Sequence, residues 1–263
     1  MLLHYAETGE GEPLVLVHGS WNDHRPWQPA VDAGLEWAFR VMAYDRRGHG
    51  RSGLVPGPGT RPQDEDDLAA LIEALGLAPA HAAGNSFGAS ITAGLAARRP
   101  ELFGRIVLHE PPLAGLVLDD AVAVAEMRTV TEAIEEAKQL LREGDDAAGA
   151  KLFVEEIAPG PGAWGTMPEP LRDTIVTHAQ TWLDEQQDPG WALLDLDGLG
   201  ACTAPVLLSR GSESPAWFGA VLDRLAAVLP HARRNTFQGA GHIPHVTHPQ
   251  DHAAVVTAFM RGT

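Results

Sequence analysis

Short apolar segments that alternate with helical patterns restrict the fold of this chain more than any other feature. Within the first 112 residues, four segments end abruptly at polar or glycine residues: Leu14–Val17, Arg40–Tyr44, Ala80–Gly84 and Arg105–His109. Between them, residues 64–75 and 89–98 show the spacing or the alanine-rich composition of helices. Strands that alternate with helices form a parallel sheet covered on both faces. The sequence therefore predicts an α/β fold.

The pattern changes after Pro112. Residues 116–199 contain only helical patterns, of which 120–142 is the longest, with shorter ones at 147–156 and 171–186. Strand patterns return at 205–209 and 232–237, before a terminal helix at 249–260. We therefore expect a core domain formed by residues 1–112 and 200–263, with residues 113–199 inserted as a helical cap. In open α/β sheets, ligands bind at the carboxyl ends of the strands, so the cap is expected to cover the site.

Composition excludes several classes of partner. The chain has 19 Lys and Arg against 35 Asp and Glu, a net charge of −16, and no cluster of basic residues. Binding to nucleic acid or to anionic lipid depends on such clusters, so neither is expected as a partner. No apolar run reaches the roughly 18 residues of a membrane-spanning helix. With one cysteine, Cys202, and no signal-peptide pattern at the N-terminus, we expect a cytoplasmic protein.

One pentapeptide carries the strongest chemical signal. Gly84-Asn85-Ser86-Phe87-Gly88 matches G-x-S-x-G between a strand pattern and an alanine-rich helix. A sharp strand-to-helix turn strains the backbone of Ser86, and small neighbours two positions away tolerate it. The turn also leaves the hydroxyl at a helix N-terminus, where backbone N–H groups stabilise a developing oxyanion. Alone, the motif is equally compatible with a serine that caps the helix; its flanking elements favour a nucleophile.

Three further stretches extend this signal to the whole chain: His18-Gly19-Ser20-Trp21, residues 45–52 (Asp-Arg-Arg-Gly-His-Gly-Arg-Ser) and Gly239-Ala240-Gly241-His242. Together with the serine motif they resemble the α/β-hydrolase superfamily over nearly the full length. The resemblance implies a mostly parallel sheet covered by helices, with an inserted helical cap. It also implies an oxyanion hole made by the backbone N–H groups of Phe87 and of Ser20 or Trp21. No cofactor is expected, because the chain has no phosphate-binding loop and no dinucleotide fingerprint.

A serine hydroxyl needs a neighbouring base with a pKa near 7, which indicates histidine. His242 follows the last predicted strand, at the position that the resemblance gives to the catalytic histidine. His245 and His248 continue a spacing of three that is known from metal sites. However, Pro244 and Pro249 disfavour a shared helical face, and no carboxylate follows at a zincin spacing, so no metal site is expected.

The acidic partner of the histidine departs from the common family pattern. Many members carry an aspartate three residues beyond a glycine after the penultimate strand, where this chain has Ser214. Glu213 is adjacent, although strand alternation turns it elsewhere. Glu110 ends the strand after the serine motif, a position that haloalkane dehalogenases and zearalenone lactonases use. A carboxylate there needs a partner, either His242 or an arginine. We predict a Ser86–His242–Glu110 triad, with Glu213 as the alternative acid.

The types of the candidate catalytic residues also restrict the class of reaction. Dehalogenases and epoxide hydrolases need a carboxylate nucleophile, so a serine at position 86 favours acyl transfer on a small-molecule ester or lactone. The lactone follows from the resemblance at Glu110. Apolar pocket walls are expected from four tryptophans, although packing explains any one of them equally well: Trp21, Trp182, Trp191 and Trp217. Superfamily members that act as cofactor-free oxygenases, C–C lyases or ligand-binding proteins remain the alternative, because fold alone does not separate them.

Overall fold

The computed structural model describes residues 3–53, 59–158 and 160–262; the extreme ends of the expected core domain and its residues 54–58 lie outside them. The described chain contains a seven-stranded sheet with the order β1-β3-β2-β4-β5-β6-β7. Strand β1 is antiparallel to β3, and every other neighbouring pair is parallel. The strands are β1 Tyr5–Thr8, β2 Pro13–Val17, β3 Arg40–Tyr44, β4 Ala80–Asn85, β5 Phe103–His109, β6 Val206–Gly211 and β7 Arg233–Phe237.

The six predicted strands are confirmed, with bounds that shift by one or two residues. Strand β1 was not predicted, because Ala6 and Glu7 in its middle are exposed and it shows no apolar run. It pairs at the edge of the sheet, where Tyr5 lies opposite Tyr44. The continuous burial of β4 and of nearly all of β2 and β3 is what a sheet covered on both faces requires.

Helices pack on both faces of this sheet. They are α1 Gln28–Asp32, α2 Arg61–Ala74, α3 Phe87–Arg98, α4 Ala121–Arg142, α5 Asp146–Leu152, α6 Ala163–Thr166, α7 Glu169–Thr177, α8 Ala179–Glu185, α9 Leu196–Gly200, α10 Trp217–Val228, α11 Pro244–Thr247 and α12 Pro249–Arg261. Val15 and Val17 join an apolar cluster with α2, α3 and α10, whereas Leu14 and Leu16 join one with α1 and α12. Alternate residues of β2 therefore anchor opposite helical layers.

Besides the short helices α1 and α11, which were not predicted, two features of the helices differ from the expectation. The helix predicted over 171–186 is interrupted at His178, which accepts a hydrogen bond from the backbone N–H of Gly50 through Nε2 (2.9 Å). Helix α10 was not predicted at all. A parallel pair such as β6 and β7 cannot be joined by a tight turn, so this connection required a crossover.

The chain between β5 and β6 is helical. Helices α4, α5, α7 and α8 share an apolar cluster of their own, which includes Trp21 from the loop after β2. Through Trp21 this layer packs on the carboxyl edge of the sheet, and α9 then returns to pack against α3 and α10. Among the described residues, no helix is both long enough and apolar enough to cross a membrane.

Candidate active site

Ser86 occupies a strained turn at the carboxyl edge of the sheet. It separates β4 from α3 with φ 55° and ψ −126°, a conformation that favours glycine. A Cβ atom on Gly84 would lie 2.5 Å from the carbonyl oxygen of Gly88, and one on Gly88 would lie 2.2 Å from that of Val17. Neither position therefore accepts a larger residue. The N–H of Ser86 donates to the carbonyl of His109 (2.9 Å), which ties the turn to β5.

The Ser86 hydroxyl does not cap the helix that follows. Its side chain accepts no hydrogen bond from the first turn of α3. Instead, the Ser86 carbonyl accepts from the N–H groups of Ala89 (2.9 Å) and Ser90 (3.2 Å), which closes that turn. Helix capping, the simpler explanation of the motif, is therefore wrong for this serine. A backbone strain of roughly 1–3 kcal/mol typically persists where a functional side chain must be presented.

Glu110 is fully buried at the end of β5, with a left-handed backbone (φ 45°). Its Oε2 accepts a hydrogen bond from Nδ1 of His242 (2.6 Å), and its Oε1 accepts from the backbone N–H of Gly211 (2.7 Å). Burial raises the pKa of Glu110. The hydrogen bond from His242 and the charge interactions with His109 and His242 outweigh this effect and hold the pKa at about 2. The carboxylate is therefore ionised at neutral pH.

His242 is held from three sides. Besides Glu110, its ring stacks on Phe218 of α10 (centroids 5.1 Å apart, planes at 22°), and its carbonyl accepts from the side-chain amide of Asn85 (2.9 Å). Ser86 and His242 line the same two cavities. Among the described residues no hydrogen bond joins Ser86 Oγ to His242, and in unliganded enzymes such contacts are often long and tighten in the complex. The contact of Phe218 with His242 was not predicted from the sequence, because helix α10 was not predicted.

The structure separates the two candidate acids. Glu213 is exposed and accepts from the hydroxyl of Ser212 (2.9 Å), and within the described chain no hydrogen bond or ion pair joins it to His242. Ser214, at the position of the usual aspartate, has a buried hydroxyl that forms no hydrogen bond of ordinary geometry. It lies near enough to the Glu110 carboxylate to help lower the pKa of that group. Of the two carboxylates, Glu110 is the one that is hydrogen-bonded to His242.

The loop after β2 lies directly against the serine turn. A Cβ atom on Gly19 would be 3.0 Å from Cβ of Ser86. The ring of His18 donates through Nδ1 to the Gly19 carbonyl (2.8 Å) and accepts through Nε2 from the N–H of Arg46 (3.0 Å). Burial and the charge of Arg46 lower the pKa of His18 to about 3, so the ring stays neutral. Ser20 and Phe87 line the larger cavity beside Ser86.

A buried ion pair between Arg46 and Glu185 lies beneath this loop, and the sequence did not indicate it. Glu185 of α8 accepts hydrogen bonds from the hydroxyl of Ser20 and from Nη2 of Arg46. Glu185 and Arg46 are buried, and Ser20 is partly buried. Arg46 belongs to residues 45–52, one of the stretches that carry the family resemblance. Nothing in the sequence pointed to Glu185, because its contacts lie 139 and 165 positions away along the chain.

Two cavities meet at Ser86 and His242. The larger, of about 220 Å³, has mostly apolar and aromatic walls, and it exceeds the roughly 150 Å³ that holds a benzene molecule. Trp182, Trp191 and Trp217 line it. The smaller, of about 40 Å³, is lined by Trp21, which also packs against Phe153 and Trp182 (ring centroids 4.6 and 5.1 Å away). All four predicted tryptophans therefore face a cavity that Ser86 also lines.

The histidines near His242 do not converge on a shared point. His245 is buried and packs on Trp27, with ring centroids 4.3 Å apart, whereas His248 bonds to the neighbouring Thr247. The one group of metal-type donors in the described chain is His4, His24 and Asp45, which the sequence did not indicate. There, the N–H groups of His24 and Arg51 and the His24 ring already donate to the Asp45 carboxylate.

Comparisons with known proteins agree with this geometry. Residues 14–255 match the model of the Alpha/beta hydrolase family. A "Putative carbamate hydrolase RutD" from Caulobacter sp. (strain K31) is 27% identical over 268 residues, covering 99% of this chain and 94% of the relative. An "(E)-2-((N-methylformamido)methylene)succinate hydrolase" from Acinetobacter baylyi is 24% identical over 270 residues, covering 99% and 94%. The crystal structure of an alpha/beta hydrolase from Sphaerobacter thermophilus superposes with a TM-score of 0.79 at 27% identity, covering 98% of this chain and 95% of that one. The expected fold class is confirmed.

Proposed function

Because this chain belongs to the alpha/beta hydrolase family, we propose that it is a serine hydrolase that cleaves an ester or lactone of a largely apolar small molecule. The observation that carries the proposal is the 2.6 Å hydrogen bond between His242 Nδ1 and the buried carboxylate of Glu110. This pair lies at the sheet edge that also presents Ser86 in its strained turn. Ser86 and His242 line the same cavity and an ionised carboxylate is bonded to His242, which favours acyl transfer over mere ligand binding.

In the proposed reaction, Glu110 holds the proton of His242 on Nδ1 and leaves Nε2 free to act as a base. As Ser86 Oγ attacks the carbonyl carbon, Nε2 takes its proton. The backbone N–H groups of Phe87 and of Ser20 or Trp21 donate to the resulting oxyanion. The imidazolium then protonates the leaving alcohol, and an acyl-enzyme forms on Ser86. Water, deprotonated by His242, attacks that ester and releases the acid.

The environment of Glu110 supports its role in this scheme. Its charge is buried and fixed by the N–H of Gly211, so it does not need to reorganise when the imidazolium forms. A charge in a poorly solvated site interacts more strongly with a neighbouring cation than the same charge in water. Glu110 therefore orients the ring of His242 and stabilises its cationic form.

The volumes of the two cavities support an ester substrate whose acyl and alcohol groups differ in size. The space of about 220 Å³ suits a bulky apolar group, whereas about 40 Å³ suits a group of one or two heavy atoms, or water. Residues 113–199 supply much of the larger wall, including Trp182 and Trp191, which supports our proposal that this segment is a cap. A lactone, in which the acyl and alcohol groups are joined in one ring, would occupy the larger cavity.

A panel of p-nitrophenyl acyl esters, from acetate to dodecanoate, tests the proposal together with labelling by a fluorophosphonate. We expect the wild type to hydrolyse at least the apolar esters and to be labelled. Ser86→Ala should lose about three orders of magnitude in kcat/KM and resist labelling. Ser90→Ala is the matched control, since this buried hydroxyl lies one turn along α3 and has no hydrogen-bond partner in the part of the chain that the structure describes. A wild type that is inert in both assays would instead favour the oxygenase, lyase or ligand-binding alternatives.

A further inference from the structure

One side chain of the helical segment reaches the loop proposed to bind the oxyanion. Glu185 ends α8, and its carboxylate is buried where α8 meets the loops after β2 and β3. One oxygen accepts from the hydroxyl of Ser20 at 2.5 Å, and the other accepts from Nη2 of Arg46. A single carboxylate thus joins the cap segment to two separate loops of the core.

Arg46 extends this link to the second proposed oxyanion donor. Its guanidinium carbon lies 5.0 Å from the ring centroid of Phe87, a cation–π geometry. Nη2 also donates to Nε2 of His49 (3.1 Å), and the backbone N–H of Arg46 donates to His18 (3.0 Å). Arg46 and Glu185 together therefore contact the residues on both sides of the proposed oxyanion hole.

The cost of this arrangement indicates that it has a purpose beyond stability. Burying two charges is expensive, and replacing a buried ion pair by apolar residues is often neutral or stabilising. The pKa of Glu185 is raised, because burial outweighs the lowering effects of the charge of Arg46 and the hydroxyl of Ser20. Asp64, 3.7 Å from Nη1 of Arg46, has its pKa raised to about 7 by burial. Glu185 is the carboxylate that hydrogen-bonds directly to the arginine.

The direction of the Ser20 hydrogen bond limits what this hydroxyl can do. The guanidinium of Arg46 bonds to Glu185 and favours its carboxylate form, which can only accept, so the hydroxyl of Ser20 donates its proton to Glu185. That proton is then not available to a substrate oxyanion. The side chain of Ser20 serves instead to fix its own backbone, whose N–H group faces the site in the proposed mechanism.

We propose that Glu185 is a positioning residue, which holds Ser20 directly and Phe87 through Arg46 so that their N–H groups converge on the oxyanion. This inference rests on the proposed serine hydrolase activity. It implies that the oxyanion hole is complete only while α8 is docked on the core. Interactions of this kind act on the transition state and leave substrate binding nearly unchanged.

Kinetics of Glu185→Gln, Ser20→Ala and the double variant on a p-nitrophenyl ester test this role. Ser20→Ala removes the hydroxyl alone, whereas Glu185→Gln keeps an acceptor for Ser20 and removes the charge that pairs with Arg46. We expect each single change to lower kcat about 10- to 100-fold with KM within about twofold, less than the loss of a whole oxyanion donor. Binding of a trifluoromethyl ketone, which mimics the tetrahedral intermediate, should weaken by the same factor. The double variant should lose less than the product of the two losses.

Asp184→Asn, on the same helix but outside these contacts, is the matched control and should keep wild-type kcat. Thermal unfolding of each variant separates folding from catalysis; if Glu185→Gln fails to fold, Ser20→Ala alone decides. Losses confined to KM, or kcat within twofold of wild type in folded variants, would overturn the role of Glu185. An ester-inert wild type would contradict the proposed function itself, so the two failures are distinguishable.

Discussion

Replacing Glu110 by glutamine tests most closely whether His242 depends on the negative charge of Glu110. The glutamine carbonyl would keep the hydrogen bond from the N–H of Gly211, which turns the NH₂ group toward His242. His242 Nδ1 would then have to accept a hydrogen bond and place its own proton on Nε2. In that tautomer the ring cannot take a proton from Ser86.

The structure allows the size of this effect to be worked out. The pKa of Glu110 is about 2 against an ordinary 4.5, which corresponds to about 3 kcal/mol in favour of the charged form. Losing the interaction of this carboxylate with His242 costs up to about two orders of magnitude in rate, since His109 and Ser214 account for part of the roughly 3 kcal/mol. The inverted tautomer adds to this cost, so we expect kcat to fall by about three to four orders of magnitude.

Steady-state hydrolysis of a p-nitrophenyl ester by folded Glu110→Gln measures the effect, with Glu213→Gln as the matched control. Glu213 is exposed and bonded to Ser212, so its variant should stay within about twofold of wild type. If Glu110→Gln kept more than about a tenth of the activity while Glu213→Gln lost it, the acid would be Glu213 and the reasoning from burial and geometry would be refuted.

Three further predictions concern stability, pocket size and pH. Gly88→Ala should lower the free energy of unfolding in urea by about 3 kcal/mol or more, because the added Cβ would lie 2.2 Å from a backbone oxygen. Gly165→Ala, whose Cβ would meet no described atom within 4 Å, should change the free energy of unfolding by less than about 1 kcal/mol. Val130→Phe, which fills the larger cavity, should lower kcat/KM about tenfold for long acyl esters but not for acetate, whereas Val122→Phe on the exposed side of α4 should change neither. Ionised Glu110 stabilises the fold above pH 4.5, and this contribution of about 3 kcal/mol disappears as the pH falls toward 2. The difference in unfolding free energy between wild type and Glu110→Gln should therefore shrink over that interval, and a constant difference would contradict it.

Local sequence patterns predicted the parts of the fold that depend on local physics. Buried strands such as β2 and β5 are apolar runs with abrupt ends, and their alternation with helices implied the parallel sheet. Strand β1 lacks that run because it lies at the edge, where half of its side chains face solvent. Helix α10 was missed, although the parallel pairing of the strands around it requires a crossover there.

For the site, the sequence predicted residues that a backbone constraint marks, and it missed residues that only packing places. Gly84 and Gly88 indicate the turn at Ser86 in the sequence, because the structure leaves no room for a Cβ atom at either position. No backbone constraint in the sequence indicates that Phe218 stacks on His242 or that Glu185 contacts Ser20, which lies 165 positions away. Such contacts depend on tertiary packing, which single-sequence patterns do not encode.

An acyl-enzyme on Ser86 is the central claim, and mass spectrometry of the protein quenched during turnover of a p-nitrophenyl ester tests it most directly. We expect a burst of p-nitrophenol, an intact mass increased by one acyl group, and that group on the peptide that contains Ser86. Ser86→Ala should show neither burst nor adduct. Turnover without any adduct in a well-resolved burst, or an adduct on another residue, would contradict the account.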